Sequence, residues 1–396
     1  MSTLPQSEPH GLTRRDAIHA IAAFLAGSPL LCAQQDPLRY QNRVPSLDEL
    51  STALDFEAVA YEKLPRSAFN YTARGSAGEF TLRRNRDAFD WVDLVAKSMV
   101  DVSSIDTTTE ILGTKMAFPM MVAPTAAHGA LHPSGEVGMR RGCSAAADTP
   151  MIVSQNSSMP MDKVGAAGGA PLWFQIYPRQ EVEESRAPLD AAQAAGCRAL
   201  VATIDQQASY YERQIHDKHL TNRPARRRRR RAAAPANPYR VRTFRLWYEW
   251  KLFDELRSVS NLPLLAKGIL TAEDARRCVE HGLDGIVVSN HGGRTLDYVP
   301  SSLEVLPEIV DAVGGRIPVL VDSGFRRGSD ILKALALGAS AVCLGRVPRW
   351  GLAAFGAAGV QRVLEILQAE LVLAMAHAGR PSLASIDRDL ARTEFP

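Results

Sequence analysis

His291 and Arg294 stand close together in the run Ser289-Asn290-His291-Gly292-Gly293-Arg294. An imidazole can take a proton near neutral pH. A guanidinium holds a carboxylate through two parallel hydrogen bonds. A base beside a fixed cation therefore suits proton removal from a small acid, at its hydroxyl or at the carbon beside it. The run follows a short apolar segment, Gly285-Ile286-Val287-Val288, so a strand delivers both groups. Gly292 and Gly293 let the backbone turn sharply beyond it. Taken alone, His-x-x-Arg reads as an ordinary surface loop; the rest of the chain reverses that reading.

Similar apolar runs recur along the chain, and each delivers polar residues at its end. Met120-Met121-Val122-Ala123 leads to Pro124, Thr125 and Ala126, and Met151-Ile152-Val153 to Ser154. Leu172-Trp173-Phe174 leads to Gln175 and Tyr177, and Ala199-Leu200-Val201-Ala202 to Thr203 and Asp205. Leu262-Pro263-Leu264-Leu265-Ala266 leads to Lys267, and Gly285 to Val288 leads to Ser289, His291 and Arg294. Ile317-Pro318-Val319-Leu320-Val321 leads to Asp322, Gly324 and Arg326, and Ala341-Val342-Cys343-Leu344 to Gly345 and Arg346.

Near-continuous apolar runs are the mark of parallel strands buried on both faces. Helix-like segments such as Thr271 to His281 and Gly328 to Leu337 separate them, at the roughly 20–35-residue spacing of repeated βα units. The pattern predicts an α/β fold, a (β/α)8 TIM barrel over residues 115–365 with an N-terminal helical cap from Ser46 to Phe89. An open doubly wound sheet is the alternative; it would carry Gly-x-Gly-x-x-Gly after its first strand, and none is present. In a TIM barrel the catalytic groups sit where strands end, which is where the polar set falls. Gly324 with Arg326, and Gly345 with Arg346, follow the last two strands, the usual phosphate-binding place of this fold. Each of these turns alone reads equally well as a glycine-rich turn with an exposed arginine.

The 396 residues carry a net charge of +3 and are 46% hydrophobic, enough for a large core. That charge gives no general signal for nucleic acid. Cys32, Cys143, Cys197, Cys278 and Cys343 are scattered, with no Cys-x-x-Cys, so neither a disulfide framework nor a metal site is expected. The last four lie in apolar or helical contexts and read as buried thiols. Thr13-Arg14-Arg15-Asp16 before the apolar stretch Ala17 to Ala33 resembles a twin-arginine export signal within residues 1–36, which gives a periplasmic expectation. A short amphipathic helix in a cytoplasmic protein is the other reading. Arg226 to Arg231 lie in an inserted loop at residues 214–245. Such a block reads first as a solvated loop and second as a weak membrane-surface contact. Nucleic acid is not expected, because no aromatic residues interleave the run.

These stretches together resemble the FMN-dependent α-hydroxy acid oxidase and dehydrogenase family, which includes glycolate oxidase, lactate oxidase and flavocytochrome b2. The resemblance runs from Phe56 to Ser385. It is most specific at Lys267-Gly268-Ile269, at Ser289 to Arg294 with Leu296-Asp297, and at Asp322 to Gly328. Trp173 to Tyr177 and Ala123 to Gly129 look closest to the lactate-oxidase branch. The resemblance implies FMN as cofactor and His291 as the active-site base. It implies that Asp205 bonds His291 and favours its protonated form, since a nearby carboxylate favours the cation. Arg294 and Tyr71 would bind the substrate carboxylate, and Tyr177 the substrate hydroxyl. Lys267 would lie at the flavin N1–C2=O edge. Ser154, Gln175, Thr203 and Ser289 would bond the isoalloxazine or ribityl chain, with the backbone of Pro124, Thr125 and Ala126 on the N5 side. Asp322, Gly324 and Arg326 would hold the ribityl-phosphate region, and Gly345 and Arg346 the phosphate.

The sequence departs from the family where a second carboxylate-binding arginine is usual. Counting from Thr203 puts Glu212 there; aligning on Glu212-Arg213 puts Tyr211 there. Arg213, next door, is the candidate substitute. Asn156 and Thr295 also differ from the residues common in the family. The expected activity is oxidation of an (S)-2-hydroxy acid to a 2-oxo acid, with oxygen reoxidising FMN and giving hydrogen peroxide. A quinone or cytochrome acceptor is the alternative, and a catalytically weak flavin-binding accessory protein is a third reading. The resemblance also implies a homotetramer.

Overall fold

Eight parallel strands close on themselves in the computed structural model, which describes residues 43–206 and 247–396. They are β1 (Met120–Val122), β2 (Met151–Ser154), β3 (Leu172–Ile176) and β4 (Cys197–Thr203). β5 (Leu264–Ile269), β6 (Gly285–Val288), β7 (Val319–Asp322) and β8 (Ala341–Leu344) complete the set. Each strand pairs with the next, and β8 returns to β1 through Val342 opposite Met120 and Leu344 opposite Val122. Only Arg198 and Gly268 among these strand residues escape burial, as expected for a parallel sheet covered on both sides. The architecture is the TIM barrel predicted from the apolar runs.

Two boundaries differ from the apolar runs for one reason. β5 begins at Leu264 and β7 at Val319, each just after a proline. Pro263 and Pro318 have no N–H to give a ladder. They contribute carbonyls instead, accepting from Leu200 N (2.8 Å) and Ile286 N (3.1 Å). At the other end, Gln175, Thr203, Lys267 and Asp322 lie inside strands rather than after them. Their side chains point away from the ladder, so polarity alone does not end it.

Alternation along each strand sends every second residue inward. Met121, Ile152, Trp173, Val201, Leu265, Val287 and Leu320 form one apolar cluster inside the barrel. A hairpin of two antiparallel strands, Thr109–Ile111 and Thr114–Met116, joins the same cluster through Ile111 and Met116. Trp173 donates its indole N–H to Thr114 Oγ1 (2.9 Å), so the buried indole is satisfied at that floor.

Three helices precede the barrel: Asp55–Lys63, Arg66–Ala73 and Phe80–Asp90. Asp55 opens the first of them, its carboxylate accepting from the backbone N–H groups of Ser51 (3.0 Å) and Thr52 (2.8 Å). Asp48 and Glu49 lie in a short 3-10 turn, Leu47–Glu49. Cys143, Cys197, Cys278 and Cys343 are buried. Burial pushes the first three thiols up to about 12, which keeps them protonated and unreactive. The leader, Cys32, Arg213 and the arginine run lie outside the described residues.

Candidate active site

Two residues beyond the apolar layer, the same inward alternation delivers polar groups. Ser154 follows Ile152, Gln175 follows Trp173, Thr203 follows Val201, Lys267 follows Leu265, Ser289 follows Val287 and Asp322 follows Leu320. The C-terminal end of the barrel is thus lined by the polar half of a pattern whose apolar half fills its middle.

Lys267 is 3% exposed, donates to Ser289 Oγ (2.6 Å) and pairs with Asp322 Oδ2 (3.1 Å). Burial works against its charge, but the carboxylates of Asp322 and Asp205 outweigh it and push its pKa above the ordinary lysine value. A permanent ammonium therefore sits in the barrel mouth. Ser323 Oγ donates to the other Asp322 oxygen (2.7 Å). Gln175 accepts from Ser154 Oγ (2.9 Å), while its Nε2 is buried with no hydrogen-bond partner among the described residues. A native structure seldom leaves such a donor unmatched unless a ligand meets it.

His291 follows β6 and meets Asp205, which follows β4, with Nδ1 to Oδ1 at 2.8 Å. The carboxylate holds the ring through Nδ1, which leaves Nε2 as the ring's other nitrogen. His291 sits at φ 59°, in the left-handed region that costs an L-residue about 1 kcal/mol or more. Its backbone N–H donates to Ser289 Oγ (3.0 Å), and Gly292 (φ 67°) and Gly293 (φ 70°) continue the turn. A side chain on Gly293 would lie 2.7 Å from Leu82 N, so the turn is pressed against the helix Phe80–Asp90.

Four guanidiniums gather on the same cavity. Arg294 donates to Tyr71 O (2.6 Å) and Arg74 O (2.8 Å), and its charge lies 5.0 Å from the Tyr71 ring centre. Arg346 donates to Thr72 O (2.9 Å). Arg349 donates to Thr72 Oγ1 (2.9 Å) and Ala126 O (2.6 Å). Arg326 is anchored by its backbone N–H to Asp330 Oδ2 (2.7 Å). Among the described residues, Arg326, Arg346 and Arg349 form no ion pair with a carboxylate. Burial lowers Arg349 to about 10. Burial, together with Arg294 and Arg326, holds Arg346 well below its ordinary value. Crowded cations with carbonyls for company stabilise an incoming anion strongly. Gly324, at φ 91°, brings the backbone against Asn85, where a Cβ would lie 2.0 Å from the Asn85 carbonyl oxygen. A Cβ on Gly345 would meet nothing within 4 Å, so the backbone there opens directly onto free space.

The cavity has a volume of about 270 Å³. Of the residues singled out in the sequence, Tyr71, Pro124, Thr125, Ala126, Ser154, Asn156 and Tyr177 line it. So do Lys267, His291, Arg294, Asp322, Gly324, Arg326, Gly345 and Arg346. Asp205, Gln175 and Ser289 stand one layer behind, each bonded to a lining residue. Thr203 is buried and lies opposite Lys267 in the β4–β5 ladder. Arg213 falls outside the described residues. Sequence reasoning missed Arg349, Thr72 and Gln206. Arg349 had a legible signal, since it lies one helical turn beyond Arg346 in the helix Arg346–His377. Thr72 had none.

Residues 60–393 match the FMN-dependent dehydrogenase family. The chain is 38% identical over 356 residues to the peroxisomal (S)-2-hydroxyacid oxidase GLO3 of Arabidopsis thaliana, covering 88% of this chain and 98% of that one. It is 38% identical over 351 residues to the glycolate oxidase of Spinacia oleracea, covering 86% and 95%. The crystal structure of a mandelate oxidase bound to benzoyl-formic acid superposes with a TM-score of 0.76 at 36% identity, covering 87% of this chain and 99% of that one. The donor, cation and glycine arrangement of the cavity suits a polar ring system with a phosphate tail. The chain belongs to the FMN-dependent dehydrogenase family, and FMN is its cofactor.

Proposed function

We propose that the protein oxidises an (S)-2-hydroxy acid to the 2-oxo acid and passes the electrons to oxygen, giving hydrogen peroxide. The observation that carries this reading is the His291–Asp205 pair at 2.8 Å, on the same cavity as Arg294 and Tyr177. The names of its relatives, an (S)-2-hydroxyacid oxidase and glycolate oxidases, support the same chemistry.

FMN, when bound, supplies the two-electron acceptor. The protein's residues fit it: the unmatched Gln175 Nε2 offers a donor to the ring, and Arg326, Arg346 and the open backbone at Gly345 offer a phosphate seat. Lys267, which lines the same cavity, would bring its positive charge to the ring. Arg294 and Tyr71 bind the substrate carboxylate and fix its orientation. Tyr177 bonds the substrate hydroxyl. His291 Nε2 takes the proton, and Asp205 stabilises the imidazolium that forms. The helices Arg66–Ala73 and Phe80–Asp90 serve as a cap, because the first supplies Tyr71 and Thr72 to the cavity.

The test is anaerobic addition of a panel of 2-hydroxy acids to the purified protein while its flavin absorbance is followed, and then admission of air. Bleaching by one acid with rapid recovery in air and peroxide release supports the proposal. Bound flavin that no acid bleaches sinks it. A quinone or cytochrome acceptor is the second reading, favoured by the Arg14-Arg15 pair and the Arg226 to Arg231 run, which suit an exported protein at a membrane surface. Slow recovery in air, accelerated by a quinone, selects it. Export is tested by fractionating cells that carry a tagged copy, and the homotetramer by sedimentation; a wholly cytosolic copy or a monomer removes the respective proposal.

A further inference from the structure

Behind the cavity wall lies a second histidine in a setting unlike that of His291. His128 is fully buried, in the turn that follows β1. Its Nε2 lies 2.7 Å from Thr125 Oγ1, on a residue that lines the cavity. Its Nδ1 has no hydrogen-bond partner among the described residues and lies 3.9 Å from Glu136 Oε1. Glu136 is fully buried too. Its carboxylate accepts from His128 N (3.1 Å), Ser158 N (3.0 Å) and Ser158 Oγ (2.6 Å). Burial alone would raise the Glu136 pKa, but the bonds from Ser158 and from the His128 backbone N–H oppose it, and the group is held below its ordinary value as an anion.

We propose that the buried His128–Glu136 pair is a positioning device that fixes the Thr125 hydroxyl as a hydrogen-bond acceptor toward FMN. A neutral imidazole carries one N–H. A bare lone pair on Nδ1 would be repelled by the facing Glu136 charge, so the proton sits on Nδ1. Nε2 can then only accept, and the one hydrogen available between it and Thr125 belongs to the hydroxyl. Thr125 spends that hydrogen on the wall and presents only lone pairs to the cavity. Burial and the nearby Arg349 charge lower His128 to about 3, so the ring stays neutral near pH 7 and the arrangement does not switch. Arg349 is the other charged group in this setting, and it also ties Ala126 O (2.6 Å), beside Thr125.

The consequence lies in the cofactor's redox balance. Two-electron reduction of a flavin turns a ring nitrogen from an acceptor into a donor. An acceptor-only hydroxyl in the cavity wall therefore favours the reduced form over the oxidised form. The inference rests on FMN occupying this cavity, which the flavin spectrum of the unaltered protein checks separately, and not on which acid or acceptor is used.

Two measurements on the FMN-loaded full chain test it. Selective 15N labelling of histidine reads the tautomer, with His128→Gln identifying the resonances. The expected result is a pyrrole-type Nδ1 and a pyridine-type Nε2 that do not change between about pH 8 and about pH 5. A pyrrole-type Nε2, or a ring that charges in that range, overturns the proposal. Dye-coupled reductive titration then reads the midpoint potential. His128→Leu is expected to cut the preference for the reduced cofactor about tenfold, ~30 mV for a two-electron couple. His128→Gln, whose carboxamide oxygen can accept from Thr125, should keep the original potential. Thr125→Val should reproduce the drop, and it stands in for His128→Leu if that variant does not fold. An unchanged potential in Thr125→Val with FMN still bound overturns the proposal.

Discussion

Trp173 and Gln175 lie two residues apart on β3 and both point into the barrel, yet their surroundings are opposite. The Trp173 indole N–H is matched by Thr114, and its ring lies among Ile152, Val201 and Leu265. The Gln175 amide keeps a buried donor with no partner among the described residues. The same contrast runs around the whole barrel. The middle and floor are apolar and satisfied; the C-terminal mouth holds a buried ammonium, crowded guanidiniums and a histidine at positive φ. The middle and floor are arranged for stability, whereas the mouth keeps the Gln175 donor and its crowded guanidiniums for a ligand to complete.

The contrast can be broken at the mouth first. His291→Ala should lower the rate of flavin bleaching by a substrate acid about 10²–10⁴-fold while FMN remains bound, read by stopped-flow absorbance. Rapid bleaching in that variant removes His291 from the base role. Lys267→Met should destabilise the apoprotein by about 3–5 kcal/mol in denaturant melts, because it leaves the Asp322 carboxylate buried without its partner. A smaller loss would mean that Asp322 finds other compensation.

Acid should act on the wall behind Thr125. His128 is lowered from an ordinary 6.5 to about 3, so between those values the unfolded chain binds the extra proton and stability falls as pH falls. Glu136 is lowered from an ordinary 4.5, so its contribution is present above that value and is lost as pH falls through its folded value. Both signs agree. Thermal melts from about pH 7 to about pH 4 should therefore show a steady loss, with a shallower slope in His128→Gln. A slope unchanged by that substitution assigns the acid sensitivity elsewhere. The floor should give the smallest effect: Trp173→Phe removes one hydrogen bond and should cost about 1 kcal/mol while leaving turnover unchanged. A large loss of turnover there would erase the division between the two ends.

The amino-acid sequence by itself determined the strands and the side on which chemistry lies. The eight apolar runs are local signals, and for six of them the polar residue at the end keeps the same inward alternation, so that part of the rim follows a pattern of period two. The starts of β5 and β7 were read two residues early, at Leu262 and Ile317, although Pro263 and Pro318 carried the signal, since neither can donate to a ladder. Sequence could not show that Asp205 meets His291 at 2.8 Å, that Tyr71 and Thr72 reach Arg294 and Arg349, or that Glu136 faces His128. Apart from Glu136, these partners lie on different strands or helices, and only closure of β8 onto β1 and docking of the preceding helices bring them together. Periodicity fixes which way a side chain points relative to its own strand. Which group it meets, and so its charge and hydrogen-bond role, was decided by the tertiary structure, through the closed barrel and the helices docked on it.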